Sequence, residues 1–128
     1  MKLLLDTHTF LWFIAGSQNM SQTARDLIED IANEKLVSIA SVWEIAIKHS
    51  IGKLPLAAPF GTLIPQQLAL NGFDLLPIEV HQVSLVVTLP FHHRDPFDRL
   101  LIAQSLSEDI SLVSADADFD AYGVQRLW

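Results

Sequence analysis

Met1-Lys2-Leu3-Leu4-Leu5-Asp6-Thr7-His8 is an apolar run that stops on a carboxylate. Three consecutive leucines do not alternate. They read as a short strand buried on both faces, the kind found in a parallel sheet. Asp6 then stands where that strand leaves the sheet. In open α/β sheets, ligands gather outside the carboxyl ends of the strands, so Asp6 is either a turn residue or the first part of a site.

Outward from that stretch, strand and helix patterns alternate. Phe10–Ala15 reads as a helix capped by Thr7-His8-Thr9 and ended by Gly16. Ser21 opens a second helix, with Ala24, Leu27, Ile28 and Ile31 at helical spacing. Leu36–Ile39 predicts the second strand, leading into a helix over Ser41–Lys48. A helix from Phe60 to Leu70 is expected to break near Pro65 and to end at Asn71-Gly72. Phe73–Ile78 predicts the third strand with Pro77 at its end, and Val80–Leu89 a short helix stopped by Pro90. A helix from Pro96 or Phe97 to about Glu108 precedes a fourth strand, Ser111–Ser114. Val124–Trp128 predicts a short edge strand. This alternation predicts an α/β fold, three layers deep, with a central parallel sheet of four to five strands.

The chain has 128 residues, the size of one domain with one core. It carries no cysteine, which excludes disulfides, thiolate metal sites and a cysteine nucleophile, and fits a reducing cytoplasm. No apolar run reaches the roughly 18 residues that span a bilayer, so no membrane partner is expected. One lysine before the leucines and an acid directly after them is not a signal-peptide pattern. The mean hydropathy is +0.31, that of a folded chain. The net charge of −7 argues against binding nucleic acid by broad phosphate neutralisation. It permits a divalent cation bridging an acidic pocket to an anionic substrate.

Acidic residues recur at one topological address. Asp6 follows strand one. Glu44 lies in the first turn of the helix after strand two. Asp95 and Asp98 open the long helix before strand four, and Asp116 and Asp118 follow that strand. In a parallel sheet these points share one edge, where converging carboxylates repel unless a cation lies between them. Oxygen ligands suit Mg²⁺ or Mn²⁺. Each acid also has a plain structural reading. Ser41-x-x-Glu44 matches a capping box. Asp95-Pro96-Phe97-Asp98 places an N-cap before a helical proline. Asp6, Asp116 and Asp118 fit turns and caps. Capping alone does not require acids at every crossing, because serine, threonine or asparagine serves as well. His92 and His93 read as a solvated loop, Arg94 and Arg99 as neutralisers of nearby carboxylates, Lys48 as a solvated helix face, and Trp12, Trp43 and Trp128 as packing residues.

Four blocks carry a resemblance: Asp6-Thr7-His8, Ser41-Val42-Trp43-Glu44-Ile45, His93-Arg94-Asp95-Pro96-Phe97-Asp98-Arg99-Leu100-Leu101-Ile102-Ala103-Gln104, and Ser114-Ala115-Asp116-Ala117-Asp118-Phe119. Together they resemble the PIN domain, and within it the VapC toxins of type II toxin–antitoxin pairs, over nearly the whole chain. The resemblance implies a single domain over residues 1–128 and a Mg²⁺- or Mn²⁺-dependent endoribonuclease. It further implies a homodimer, an RNA substrate and a cognate VapB-like antitoxin. It carries the acidic quartet onto Asp6, Glu44, Asp98 and Asp116, with the metal on Asp6, Asp98 and Asp116. Thr7 and Ser114 match small hydroxyl positions that orient carboxylates or water, and Asp95 and Asp118 are reserves. The rival from another class is a non-catalytic module of the same fold that docks a partner through the apolar Phe10–Ala15 helix and needs no metal.

Overall fold

A computed structural model describes residues 1–128. Strand β1 (Lys2–Leu5) leads to helices α1 (Thr7–Ile14) and α2 (Gln22–Glu29), then β2 (Glu34–Ser38), α3 (Ile39–Ser50), α4 (Phe60–Asn71) and β3 (Phe73–Leu76). Helices α5 (Val80–Val86) and α6 (Pro96–Glu108), strand β4 (Ser111–Val113), a 3₁₀ turn (Ala117–Tyr122) and β5 (Arg126–Leu127) complete the order. The five strands form one sheet in the order β3-β2-β1-β4-β5, with every pairing parallel.

The leucine run explains why β1 is central. Leu3 and Leu5 face one core, with Phe10, Ala24, Ile28, Val37, Ile45, Ile64 and Val113. Leu4 faces the other, with Leu36, Leu101, Ile102, Leu112 and Phe119. All three leucines are fully buried. The pairs Leu36–Val37 and Leu112–Val113 divide between the same two cores. Adjacent residues of a strand point to opposite faces, so only a sheet covered on both sides buries them all. Helices α1 to α4 cover one face and α5 and α6 the other. No helix is long and apolar enough to cross a membrane.

The chain winds outward from β1 to β2 and β3, then crosses back to place β4 on the other side of β1. The strand order therefore reverses between β1 and β4, and the crevice at their carboxyl ends is where such sheets bind ligands.

Several boundaries differ from the sequence reading, each for a local reason. Helix α1 begins at Thr7 because Asp6 is its N-cap and accepts a hydrogen bond from the Thr9 N–H. The Thr7-His8-Thr9 cap is thus replaced by the residue before it. Helix α3 begins at Ile39, because the Ser38 hydroxyl accepts from the Ala40 N–H. Glu44 then lies in the second turn, and Ser41 and Glu44 do not form a capping box. Helix α4 runs through Pro65 without a break; a proline withholds one helical donor, and the remaining turns hold the axis. It ends at Gly72, whose φ of 66° places it in the left-handed region that glycine enters without strain. Helix α5 stops at Val86, short of Leu89. Ile31 lies beyond α2 and is 95% exposed.

Candidate active site

The crevice between β1 and β4 gathers side chains from four elements. Asp6, at the end of β1, is 5% exposed. Its Oδ1 accepts from the Thr9 N–H at 2.8 Å, and its Oδ2 accepts from the Ser114 hydroxyl at 2.5 Å. The Asp6 N–H donates to the Val113 carbonyl, extending the β1–β4 ladder by one residue. Each Asp6 oxygen thus keeps one lone pair free. Ser114 also receives the Asp116 N–H at 3.0 Å, so one hydroxyl ties the ends of both strands.

Glu44 is 3% exposed and points inward from α3. Thr7 Oγ1 donates to Glu44 Oε1 at 2.6 Å and is 3.0 Å from the Ser41 hydroxyl. Lys48, one turn further on, donates to Glu44 Oε2 at 2.5 Å. That hydrogen bond raises the lysine pKa above its usual value, with the charges of Glu44, Asp95 and Asp98 adding to the effect. Lys48 is thus tied to the centre, not to a solvated helix face.

Asp95 is the N-cap of α6. Its Oδ1 accepts from the Phe97 and Asp98 N–H groups, and Pro96 fills the first helical position. That cap aims Asp98 into the crevice. Asp98 has its carboxyl pushed up to about 7, first by burial and then by the charge of Asp95, with Asp6 and Glu44 adding to it and His93 opposing. Asp116, after β4, accepts from the Asp118 N–H and lies half-exposed, whereas Asp118 is fully at the surface.

His93 is the residue the sequence reading left outside. Its Nε2 lies 3.1 Å from Asp98 Oδ2 and 3.3 Å from Asp116 Oδ2. Its Nδ1 accepts from the Asp95 N–H at 3.3 Å, which turns Nε2 toward the two carboxylates. The ring packs on Phe119, with centroids 5.6 Å apart. The signal was present in the third block, where His93 stands two residues before the N-cap and the turn folds it back over the helix start. His92 stays at the surface.

Arg99 does not neutralise a carboxylate. It is 5% exposed, and its guanidinium donates to the carbonyls of Val86, Leu89, Pro90 and His93. It is the clamp that holds the loop between α5 and α6, and hence His93, against the start of α6. Arg94 is exposed.

The donors Nε2 of His93 and one oxygen each of Asp98 and Asp116 all lie within 4.8 Å of one another. A shared divalent cation fits that spacing, and an oxygen-rich set with one imidazole suits a hard or borderline ion. Asp6 lies just outside the trio, near enough for its charge to raise the Asp98 carboxyl.

Beside the acids is a cleft of about 250 Å³ lined by Asp6, His8, Trp12, Ala115 and Asp116. It adjoins an apolar groove of about 320 Å³ walled by Leu11, Trp12 and Ile14 of α1 and by Leu54, Leu56 and Leu63.

Known proteins resemble this chain in sequence and in fold. The chain is 32% identical over 115 residues to ribonuclease VapC22 of Mycobacterium tuberculosis, covering 89% of this chain and 86% of that protein. It is 36% identical over 55 residues to ribonuclease VapC16 of the same organism, a match covering 43% of this chain and 39% of that protein. Its fold superposes on a chain of VapBC2 from Rickettsia felis, solved bound to a DNA fragment from their promoter. That match has a TM-score of 0.72 at 12% identity, over 99% of this chain and 98% of the other. The PIN domain family model matches residues 3–125, a span that runs from the leucines of β1 through every acid of the crevice. With the parallel sheet, its reversal point and the acids assembled there, that span establishes that the chain belongs to the PIN domain family.

Proposed function

We propose that this chain is a metal-dependent endoribonuclease and the toxin of a VapBC-type toxin–antitoxin pair. The observation that carries the reading is the convergence of Asp98 and Asp116, with His93, within 4.8 Å, close enough to Asp6 and Glu44 for their charges to act on Asp98, at the reversal point of the sheet. Asp6, Asp98 and Asp116 would hold a Mg²⁺ or Mn²⁺ ion, with the hydroxyl of Ser114 fixing Asp6. Such an ion would stabilise charge on phosphate oxygens and make a nearby water more acidic. Glu44 accepts the proton of the attacking water. Thr7 and Lys48 hold one Glu44 oxygen each, so the carboxylate cannot rotate away. Asp95 serves as cap to the Asp98 turn.

The concentration of negative charge supports a cation in this place. Burial and three neighbouring carboxylates push the Asp98 proton affinity up, and a divalent ion relieves that repulsion more completely than the single imidazole of His93. The same ion explains how a chain of net charge −7 meets a polyanion: the cation contacts the phosphate, and the surface need not.

The partner reading has its own support. A VapB-like antitoxin segment with an apolar face suits the groove beside α1. Val80 and Val83 of α5 and Val87 just past its end form an exposed apolar ridge, which favours association with a second copy in a homodimer. An RNA substrate and the lack of cysteines suit the cytoplasm.

The test is cleavage of total cellular RNA by the purified protein with Mn²⁺ or Mg²⁺, with EDTA, and with Asp6→Asn alongside. Discrete fragments that need both metal and Asp6 are expected. Absence of cleavage under every condition, from folded protein free of antitoxin, transfers the groove to a docking role without catalysis.

A further inference from the structure

The cleft next to the acids has features that phosphate hydrolysis does not use. Two of its five lining residues, Asp6 and Asp116, belong to the acidic centre, and two others are the rings of His8 and Trp12. These rings pack with centroids 5.8 Å apart. Trp12 is backed in turn by Trp128 at 6.0 Å and packs on the core beneath α1. The indole is therefore a fixed surface whose ordering has been completed on folding. The cleft, about 250 Å³ in volume, leaves room for a planar ring beside the indole.

Charge narrows the ligand further. An anion entering this cleft without a cation meets Asp6 and Asp116. A nucleobase carries no charge and presents a π face that stacks on an aromatic ring. Its phosphate then lies toward the acids, where the reading above puts the metal. A base stacked inside a duplex has no free face to offer, whereas an unpaired base does.

We propose that the cleft formed by His8 and Trp12 binds the base of the nucleotide adjoining the scissile phosphate, which stacks on Trp12. The proposal rests on the ribonuclease reading and adds a base-binding residue to it. Trp12 acts as a substrate-binding residue: it holds the base beside Asp6 and Asp116 equally in the ground state and the transition state, so its loss falls on KM. A second aromatic pair, Trp43 against Phe97 with centroids 5.4 Å apart, lies outside this cleft and serves as the internal control, although Trp43 is 59% exposed.

The experiment uses the full chain and the four ribonucleosides, which have no phosphate and so report base binding in EDTA, independently of any metal. Saturation-transfer NMR follows each nucleoside against wild type, Trp12→Phe, Trp12→Leu and Trp43→Phe. Leucine preserves apolar contact with Trp128 but removes the π face; phenylalanine keeps a smaller one. Saturable binding to wild type is expected, weakened about tenfold in Trp12→Leu, as loss of one stacked base implies. Trp12→Phe should lie in between, and Trp43→Phe should match wild type. With Mn²⁺, Trp12→Leu should raise KM for a single-stranded RNA by a similar factor while kcat stays nearly constant, and the same RNA annealed to its complement should be a poor competitor. Undiminished nucleoside binding by Trp12→Leu, equal loss in Trp43→Phe, or no saturable binding to wild type each overturns the proposal. The last outcome assigns Trp12 to the neighbouring apolar groove and a peptide occupant. Cleavage by wild type reads out the ribonuclease assignment separately, so failure of one is not mistaken for failure of the other.

Discussion

Single residues in the crevice carry opposing demands of stability and chemistry. Asp98 shows this most clearly, because its carboxyl is raised from 3.8 to about 7 in the folded chain. A folded pKa above the unfolded one means that the folded state prefers the protonated form. The stabilising contribution is therefore present below about pH 4 and is lost as pH rises through about 7. Asp98→Asn stays neutral throughout, so in metal-free protein its melting temperature should exceed that of wild type by a margin that grows from pH 4 to pH 8. A gain of about 1–2 kcal/mol at pH 8, or several degrees, is expected. Thermal melts in EDTA across that range check it, and a margin constant with pH counts against the burial and repulsion argument. The same variant should lose cleavage, since the destabilising carboxylate is the one assigned to the ion. Asp6 and Glu44 were legible in the sequence as acids at strand ends. The hydroxyls that hold them, Ser114 and Thr7, were expected from the resemblance to orient carboxylates or water, but which carboxylate each one holds depends on the distant chain it faces.

At the scale of the element, the helix ends decide where the acids point. Ser38, not Ser41, caps α3. Ser38→Ala should cost about 1 kcal/mol of stability, whereas Glu44→Gln, which keeps the shape of the side chain between Thr7 and Lys48, should show its main loss in cleavage, at least tenfold. Chemical denaturation paired with a cleavage assay separates the two; equal losses in both variants would contradict the assignment of the cap. Helix α6 ends on Asp109 at φ 53°, a left-handed position held by an exposed residue that is not glycine. An acid there also faces the negative end of the helix. Asp109→Gly should therefore stabilise the chain by about 0.5–1 kcal/mol, read as a higher denaturant midpoint with an unchanged slope. The element types were readable from periodicity and from Gly72 and Pro96, but the boundaries were not. Ser38 and Ser41 both have cap chemistry, and which one is used depends on where the β2 ladder with β1 and β3 ends.

Over the whole molecule, an acidic pocket closed by a cation links stability to metal. An ion that binds only the folded chain stabilises it by an amount that rises with the logarithm of concentration above Kd. Titrating Mn²⁺ should raise the melting temperature progressively, and the rise should vanish in Asp98→Asn and Asp116→Asn. A surface-bound ion would instead give a small shift insensitive to either variant. The sequence by itself determined the α/β class, the parallel sheet and the crowding of acids at one of its edges. These follow from local rules: consecutive apolar residues demand a sheet buried on both faces, and a strand's end fixes where the next residue stands. Only the tertiary structure decided that His93 lies between Asp98 and Asp116. It likewise decided that Arg99 clamps four carbonyls rather than pairing with an acid, and that Trp12 walls a cleft beside Asp6. Each of those outcomes depends on where chain segments far apart in sequence are brought together, and a side chain's partner across such a gap is set by packing, which no local pattern encodes.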